Sequence, residues 1–190
     1  RRARRESTLL DIYSRAVDTG TPVADVVNAI APWASDVFEP IGAVCAAYLT
    51  RKRRLGLLDF DDLLLHWRQA LRDDLVGRSL GGMYDHVLVD EYQDVNALQV
   101  ELLQLLRRHD DRITVVGDDA QAIYSFRASD PRHILDFEAD FAGATTLQLT
   151  VNYRSTQAIL DTANTLADDA PAGFSTRLRA AAPALGLALA

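Results

Sequence analysis

Tyr84-Asp85-His86-Val87-Leu88-Val89-Asp90-Glu91-Tyr92-Gln93-Asp94 is the stretch on which the fold of this chain turns. Val87, Leu88 and Val89 form a short apolar run, too brief for a helix and rich in β-branched residues. It predicts a buried strand of a parallel sheet. Asp90, Glu91, Gln93 and Asp94 then arrive together. A strand that ends in adjacent carboxylates delivers them to the carboxyl edge of the sheet, where open α/β folds bind ligands. One carboxylate can hold a hydrated Mg²⁺ ion while its neighbour orients and deprotonates water, the division of labour that nucleoside-triphosphate hydrolysis needs. The plainer alternative is a strand and a solvated turn, with Asp94 or Asn96 capping the next helix.

Downstream, Leu98, Val100, Leu102, Leu103, Leu105 and Leu106 predict an amphipathic helix, with Arg107 and Arg108 at its end complementing the helix dipole. Residues 113–116 read as a second buried strand that stops at Gly117-Asp118-Asp119. Strand, helix and strand within about thirty residues make a βαβ unit with a right-handed parallel crossover. The segment from Ala120 to Arg127 is too mixed for a regular element, and it sets Gln121, Tyr124, Phe126 and Arg127 just past that strand. Asp130-Pro131 caps a helix through about Phe137, and residues 145–151 alternate as a third strand ending in Asn152-Tyr153-Arg154. Ser155 caps a helix through about Leu166, and the tail from Ala167 is alanine-rich and weakly patterned.

Upstream, residues 6–74 read as helices. Leu9, Leu10, Ile12, Tyr13 and Val17 repeat at helical spacing until Gly20. Thr21-Pro22 opens a short helix through Ile30, with threonine as cap and proline at the first helical position. Pro32 and Pro40 bracket a turn holding Trp33 and Phe38, and a long helix runs from about Ile41 to Arg54, ended by Gly56. Asp59 caps a helix whose stripe of Phe60, Leu63, Leu64, Trp67 and Leu71 faces a core. Gly77, Gly81 and Gly82 read as a flexible join into the Asp90 strand.

Composition sets the bounds. The chain has 190 residues, 48% hydrophobic and 25% charged, enough for one domain or for parts of two. No apolar run approaches a membrane span, and the basic residues 1–5 are not followed by the apolar stretch of a signal peptide. Cys45 stands alone among alanines and valine, which reads as core packing and suits a reducing cytoplasm. A net charge of −7 argues against a nonspecific coat for nucleic acid but leaves room for a local basic path, at residues 1–5 or at Arg51-Lys52-Arg53-Arg54.

Three strand ends thus carry polar loops: Asp90-Glu91, residues 117–127, and Asn152-Tyr153-Arg154. Their order and spacing resemble the UvrD/Rep/PcrA-like superfamily 1 DNA helicases. Asp90-Glu91-Tyr92-Gln93-Asp94 matches the family's second motif, the Walker B element. Residues 116–127 match the third motif and residues 149–155 the fourth, while residues 58–64 resemble the stretch preceding the second. The resemblance implies that Asp90 coordinates Mg²⁺, that Glu91 is the general base, and that Gln121 senses the γ-phosphate of ATP. It implies that Arg154 reaches that phosphate like an arginine finger and that Tyr153 stacks on adenine. It places Tyr124, Phe126 and Arg127 against single-stranded DNA, where an aromatic face can stack on any base. Two departures stand out. The family usually has tryptophan where Phe126 stands, which weakens stacking, and glycine at the position of Ala128.

The resemblance further implies an α/β fold, an incomplete RecA-like P-loop NTPase parallel sheet preceded by a helical insertion region. Its parts are residues 1–82 as the end of that insertion, 83–144 in the first RecA-like domain and 145–190 in the second. The implied activity is Mg-ATP-driven movement on single-stranded DNA and duplex junctions, 3′ to 5′, in DNA repair or replication. A RecB/AddA-type helicase–nuclease subunit and a non-catalytic DNA-binding relative are the alternatives. The Gly-rich phosphate loop ending in Gly-Lys-Ser/Thr is absent, since Lys52 is the sole lysine and has no glycine framework. These residues alone are therefore expected to hydrolyse no ATP, and an uncovered strand edge is expected to favour self-association. An unrelated α/β hydrolase or metalloenzyme finds no nucleophile elbow and no ligand spacing among His66, His86, His109 and His133.

Overall fold

Asp59 and Asn96 start the two helices between which the Asp90 strand is placed. In the computed structural model, which describes residues 6–123, 128–168 and 177–181, five helices precede that strand. They are α1 (Glu6–Thr19), α2 (Val23–Ile30), α3 (Phe38–Leu55), α4 (Phe60–Arg72) and α5 (Asp74–Gly81). Then come β1 (Val87–Val89), α6 (Ala97–Leu106), β2 (Ile113–Val115), α7 (Arg132–Leu135) and α8 (Phe137–Asp140). The last described elements are β3 (Val151–Asn152), α9 (Gln157–Asp168) and β4 (Arg179–Ala180).

Both starting helices carry a reciprocal capping box. Asp59 accepts from the Asp62 amide while Asp62 accepts from the Asp59 amide, and Asn96 and Gln99 do the same for α6. Each box satisfies two otherwise orphaned donors and is worth about 1 kcal/mol. Of the two candidate caps for α6, Asn96 is the one used. Gly56 ends α3 in the left-handed conformation (φ 62°). Arg107 does not sit in the last turn of α6 as a solvated cation. It occupies the C-cap, is buried, and donates to the Gly81 and Tyr84 carbonyls at 3.2 and 3.1 Å, tying α6 to the approach to β1.

The β1–α6–β2 unit is parallel, with Val87, Leu88 and Val89 opposite Ile113, Thr114 and Val115. The strands are not buried on both faces. Leu88 is 77% exposed, because among the described residues this sheet has only these two strands and the helices cover one side. On the covered side, Leu71, Leu98, Leu102 and Leu106 form a core against which Val87 packs. A separate cluster of Tyr92, Val95 and Val100 takes in Val89, Val115, Ile134 and Phe137. A third, purely helical core gathers Ile12, Tyr13, Val26, Val27, Ile41 and Cys45. Burial pushes the Cys45 thiol up, in keeping with a packing role.

Several sequence expectations are corrected. Gly77 and Gly81 are not a flexible join; they belong to α5, N-capped by Asp73. A Cβ at Gly77 would lie 2.2 Å from the Leu71 carbonyl oxygen, and one at Gly81 would lie 2.6 Å from that of Leu106. These glycines let α5 press against the ends of α4 and α6. On α4 the packed residues are Leu64, Leu65 and Leu71, whereas Phe60, Leu63 and Trp67 point outward, Phe60 being 86% exposed. Thr21 does not cap α2, since Pro22 occupies that position and its carbonyl accepts the first amides. Residues 32–37 form a 3₁₀ turn and α3 begins at Phe38, three residues before Ile41. Pro40 is tolerated there because a first-turn amide has no intrahelical partner to lose. The helix expected after Asp130-Pro131 is broken at Asp136 into α7 and α8.

The third strand departs furthest. Residues 145–150 form no strand, and Leu147 and Leu149 are exposed. Only Val151 and Asn152 pair, in parallel, with Arg179 and Ala180, so β3 lies in a sheet separate from β1–β2. The turn after it is held by the Asn152 side chain, which accepts from the Arg154 and Ser155 amides at 2.8 and 2.7 Å. Thr156, not Ser155, supplies the carbonyl that starts α9.

Candidate active site

The ladder between β1 and β2 continues past Val89 with one residue too many. Val116 donates to the Val89 carbonyl at 2.8 Å, and its own carbonyl accepts from Tyr92 at 2.9 Å. In a regular parallel ladder the second bond would come from residue 91. Glu91 is instead pushed out as an extra residue with φ 53° and ψ 43°, a left-handed conformation that an L side chain adopts at a cost of about 1–2 kcal/mol. Its displaced amide finds a new acceptor in Asp90 Oδ1, at 3.0 Å. The bulge lifts two adjacent carboxylates out of the sheet edge into solvent, and both residues are exposed.

The residues just past the bulge are fully packed. Tyr92 is buried, makes an edge-on contact with Phe137 at 5.4 Å between ring centroids, and anchors the cluster beneath the loop. Burial, with a further push from Asp140, holds its phenol above the ordinary tyrosine range. Gln93 is buried to 1% exposure and is satisfied at both ends. Its Nε2 donates to the Glu91 carboxylate at 2.7 Å, and its Oε1 accepts from the Asp118 amide at 3.0 Å. The Asp118 carboxylate in turn accepts from the Ala120 amide at 3.1 Å and from Gln121 Nε2 at 2.7 Å. Gly117 lets this happen. A Cβ there would stand 2.6 Å from Gln93 Oε1 and 2.7 Å from the Ile134 side chain.

The structure therefore brings Asp90, Glu91 and Gln121 together, through Gln93 and Asp118. Those two linking residues stand within the second and third motifs, but the sequence gives them no role. Tyr153 and Arg154 are not in this network. They follow β3 in the other sheet, both exposed, and neither side chain has a bonding partner among the described residues. Tyr124, Phe126 and Arg127 lie outside the described residues. Ala128, just beyond them, is buried with φ 61°, which supplies a backbone reason for glycine at this position.

Asp90 suits a hydrated divalent cation. One carboxylate oxygen is taken by the Glu91 amide and the other is left to solvent. Among the described residues no cluster of three metal-ligating side chains exists. Mg²⁺ does not need one, since it commonly uses one or two carboxylates with water and substrate phosphates. Lys52, by contrast, is buried and committed elsewhere: it pairs with Asp59, and with Asp62 at 2.7 Å. No helix among the described residues is long and apolar enough to cross a membrane.

Comparison with known proteins places the chain in a family. The family described as UvrD/REP helicase N-terminal domain matches residues 17–142. ATP-dependent DNA helicase Rep of Salmonella typhimurium is 36% identical over 168 residues, which cover 80% of this chain and 25% of that protein. ATP-dependent DNA helicase UvrD2 of Mycobacterium tuberculosis is 43% identical over 128 residues, 65% of this chain and 18% of its own. ATP-dependent DNA helicase PcrA of Leuconostoc citreum is 36% identical over 160 residues, 83% and 21% respectively. The chain thus spans a quarter or less of each of these relatives.

Proposed function

This chain belongs to the UvrD/REP helicase N-terminal domain family, and from that premise we propose that it is part of an ATP-driven motor that moves 3′ to 5′ on single-stranded DNA. The sheet edge at β1 and β2 is then one wall of a RecA-like nucleotide site. Glu91 is the general base on the attacking water, held out of the ladder by its bulge. Mg²⁺, when bound at Asp90, neutralises charge developing on the β- and γ-phosphates. Gln121 contacts the γ-phosphate or the water. Tyr153 stacks on adenine and Arg154 reaches the phosphates, which requires β3 and the turn after it to close on the β1–β2 edge. Tyr124, Phe126 and Arg127 bind single-stranded DNA, in a cytoplasmic protein acting in repair or replication.

The single observation that carries this reading is the one-residue bulge that presents Glu91 beside Asp90, with Gln121 tied to the same loop. The test is Glu91→Gln in the full-length polypeptide that contains this chain. Mg²⁺-dependent ATP turnover should fall about 10²- to 10⁴-fold, the usual worth of a general base, with nucleotide affinity kept. Undiminished turnover would refute the assignment. The chain by itself is expected to turn over no ATP, because its only lysine is locked between Asp59 and Asp62 and it has no Gly-rich phosphate loop.

A further inference from the structure

We infer that Gln93 is a positioning residue that fixes the Glu91 carboxylate and couples it to Gln121, an inference that rests on the ATPase reading above. The orientation of its amide is dictated by chemistry. A carboxylate can only accept, so the NH₂ group must face Glu91. A backbone N–H can only donate, so the carbonyl must face Asp118. The two contacts, at 2.7 and 3.0 Å, therefore admit one arrangement of a side chain that is buried and has no freedom to turn.

Three further features make this a built link. Gly117 leaves room beside it, because a Cβ there would stand 2.6 Å from Gln93 Oε1, 2.7 Å from the Ile134 side chain and 3.1 Å from the Tyr92 amide nitrogen. Tyr92 and Val95, on either side, are buried in the cluster under β1 and β2, so the position of Gln93 is set by the core. Beyond Asp118 the path continues to Gln121 Nε2 at 2.7 Å without a gap. A shift of the Gln121 turn on nucleotide binding is thus passed, through Asp118 and the Gln93 amide, to the oxygen atoms of Glu91. Exposed side chains on a bulge have many rotamers open to them, and Gln93 selects one for Glu91.

The experiment uses the full-length polypeptide and steady-state ATP turnover with Mg²⁺. Gln93→Glu fills the same space and can still accept from the Asp118 amide, but when ionised it cannot donate to Glu91 and sets a second carboxylate against it. Gln93→Met keeps the volume and loses both bonds. Each is expected to lower kcat about 10- to 100-fold, within the range seen when a catalytic group is left misplaced, while KM for ATP stays within about twofold; Gln93→Glu, which buries a carboxylate beside that of Glu91, is also expected to lower the melting midpoint. Combining Gln93→Met with Gln121→Ala should reduce kcat little beyond the larger single effect, since both break one path. If Gln93→Glu turns over ATP at the wild-type rate while Glu91→Gln does not, the positioning role is wrong and the ATPase reading stands. If the Gln93→Met and Gln121→Ala losses multiply, the coupling is wrong. Retained turnover in Glu91→Gln would instead overturn the underlying reading.

Discussion

Replacing Lys52 by methionine tests the helical half of the molecule. Lys52 Nζ pairs with Asp59, lies 2.7 Å from Asp62, donates to the Tyr13 hydroxyl at 3.2 Å, and sits 5.0 and 4.7 Å from the Tyr13 and Tyr48 ring centroids. Burial alone would push its pKa down, but the bonds to Asp59, Asp62 and Tyr13 outweigh it and hold the group above the ordinary lysine range. Methionine fills the space but leaves two carboxylates facing each other without a cation. Stranding a buried charge costs about 3–5 kcal/mol. Asp59 and Asp62 keep 23% and 14% side-chain exposure and their mutual capping bonds, which favours the lower end.

We therefore expect a loss of about 3 kcal/mol at neutral pH, or about 6–12 °C in melting midpoint for a chain of this size. The assay is urea denaturation followed by circular dichroism. Its pH dependence has a definite sign. Burial raises the Asp59 carboxyl, but the bonds from Lys52, the Asp62 amide and Tyr48 hold it below its ordinary 3.8. The stability this contributes is present above 3.8 and lost as pH falls through the lowered value. The variant lacks that contribution, so its deficit should shrink in acid. Adding Asp59→Asn and Asp62→Asn should recover part of the loss, because the stranded charges are then gone. A deficit under about 0.5 kcal/mol, the range of an ordinary surface change, or one that is constant from neutral pH into acid, would refute the reasoning.

Two further outcomes are expected. Ala128→Gly should stabilise the chain by about 0.5 kcal/mol in the same denaturation assay, since relief of a left-handed alanine exceeds the extra chain entropy of glycine; a loss of stability would show that the Ala128 backbone is not strained. Asp18 is pushed up to about 6 by burial and by the like charge of Asp61, against opposing help from Asn96 and Arg15. A carboxyl raised in the folded state makes stability fall as pH climbs from 3.8 through about 6, so Asp18→Asn should flatten that part of the profile and be the more stable protein at neutral pH.

The sequence carried the local rules well and the global partners poorly. Caps at Asp59 and Asn96, the stop at Gly56 and the βαβ unit were legible because each rests on a few neighbouring residues with one physical role. Gly77 and Gly81 were misread because a glycine that allows two helices to touch is spelled the same way as one that bends a loop. Phe60, Leu63 and Trp67 were placed in the core by their spacing, and spacing says which residues share a face but not whether anything covers it. Residues 145–150 alternate as a strand should, yet a strand exists only where another pairs with it. Gln93 was noted but given no role, because that role lies in a bond to Asp118, twenty-five positions away.

The strain at Glu91 is held by the buried residues that follow it, Tyr92, Gln93 and Val95. A left-handed glutamate would relax if its neighbours were free, by returning residue 91 to the ladder and shifting every later residue by one. That shift would turn the buried Tyr92 side chain toward solvent and carry Gln93 out of reach of Asp118. Tyr92 is fully buried against Phe137, and its amide is already bonded to Val116, so the register cannot slip without dismantling that cluster. Burying an aromatic side chain contributes about 1.5–3 kcal/mol, more than the about 1–2 kcal/mol that one left-handed residue costs. The exposed pair of carboxylates is thus held in place by packing beneath it, and the loop is set by the fold itself.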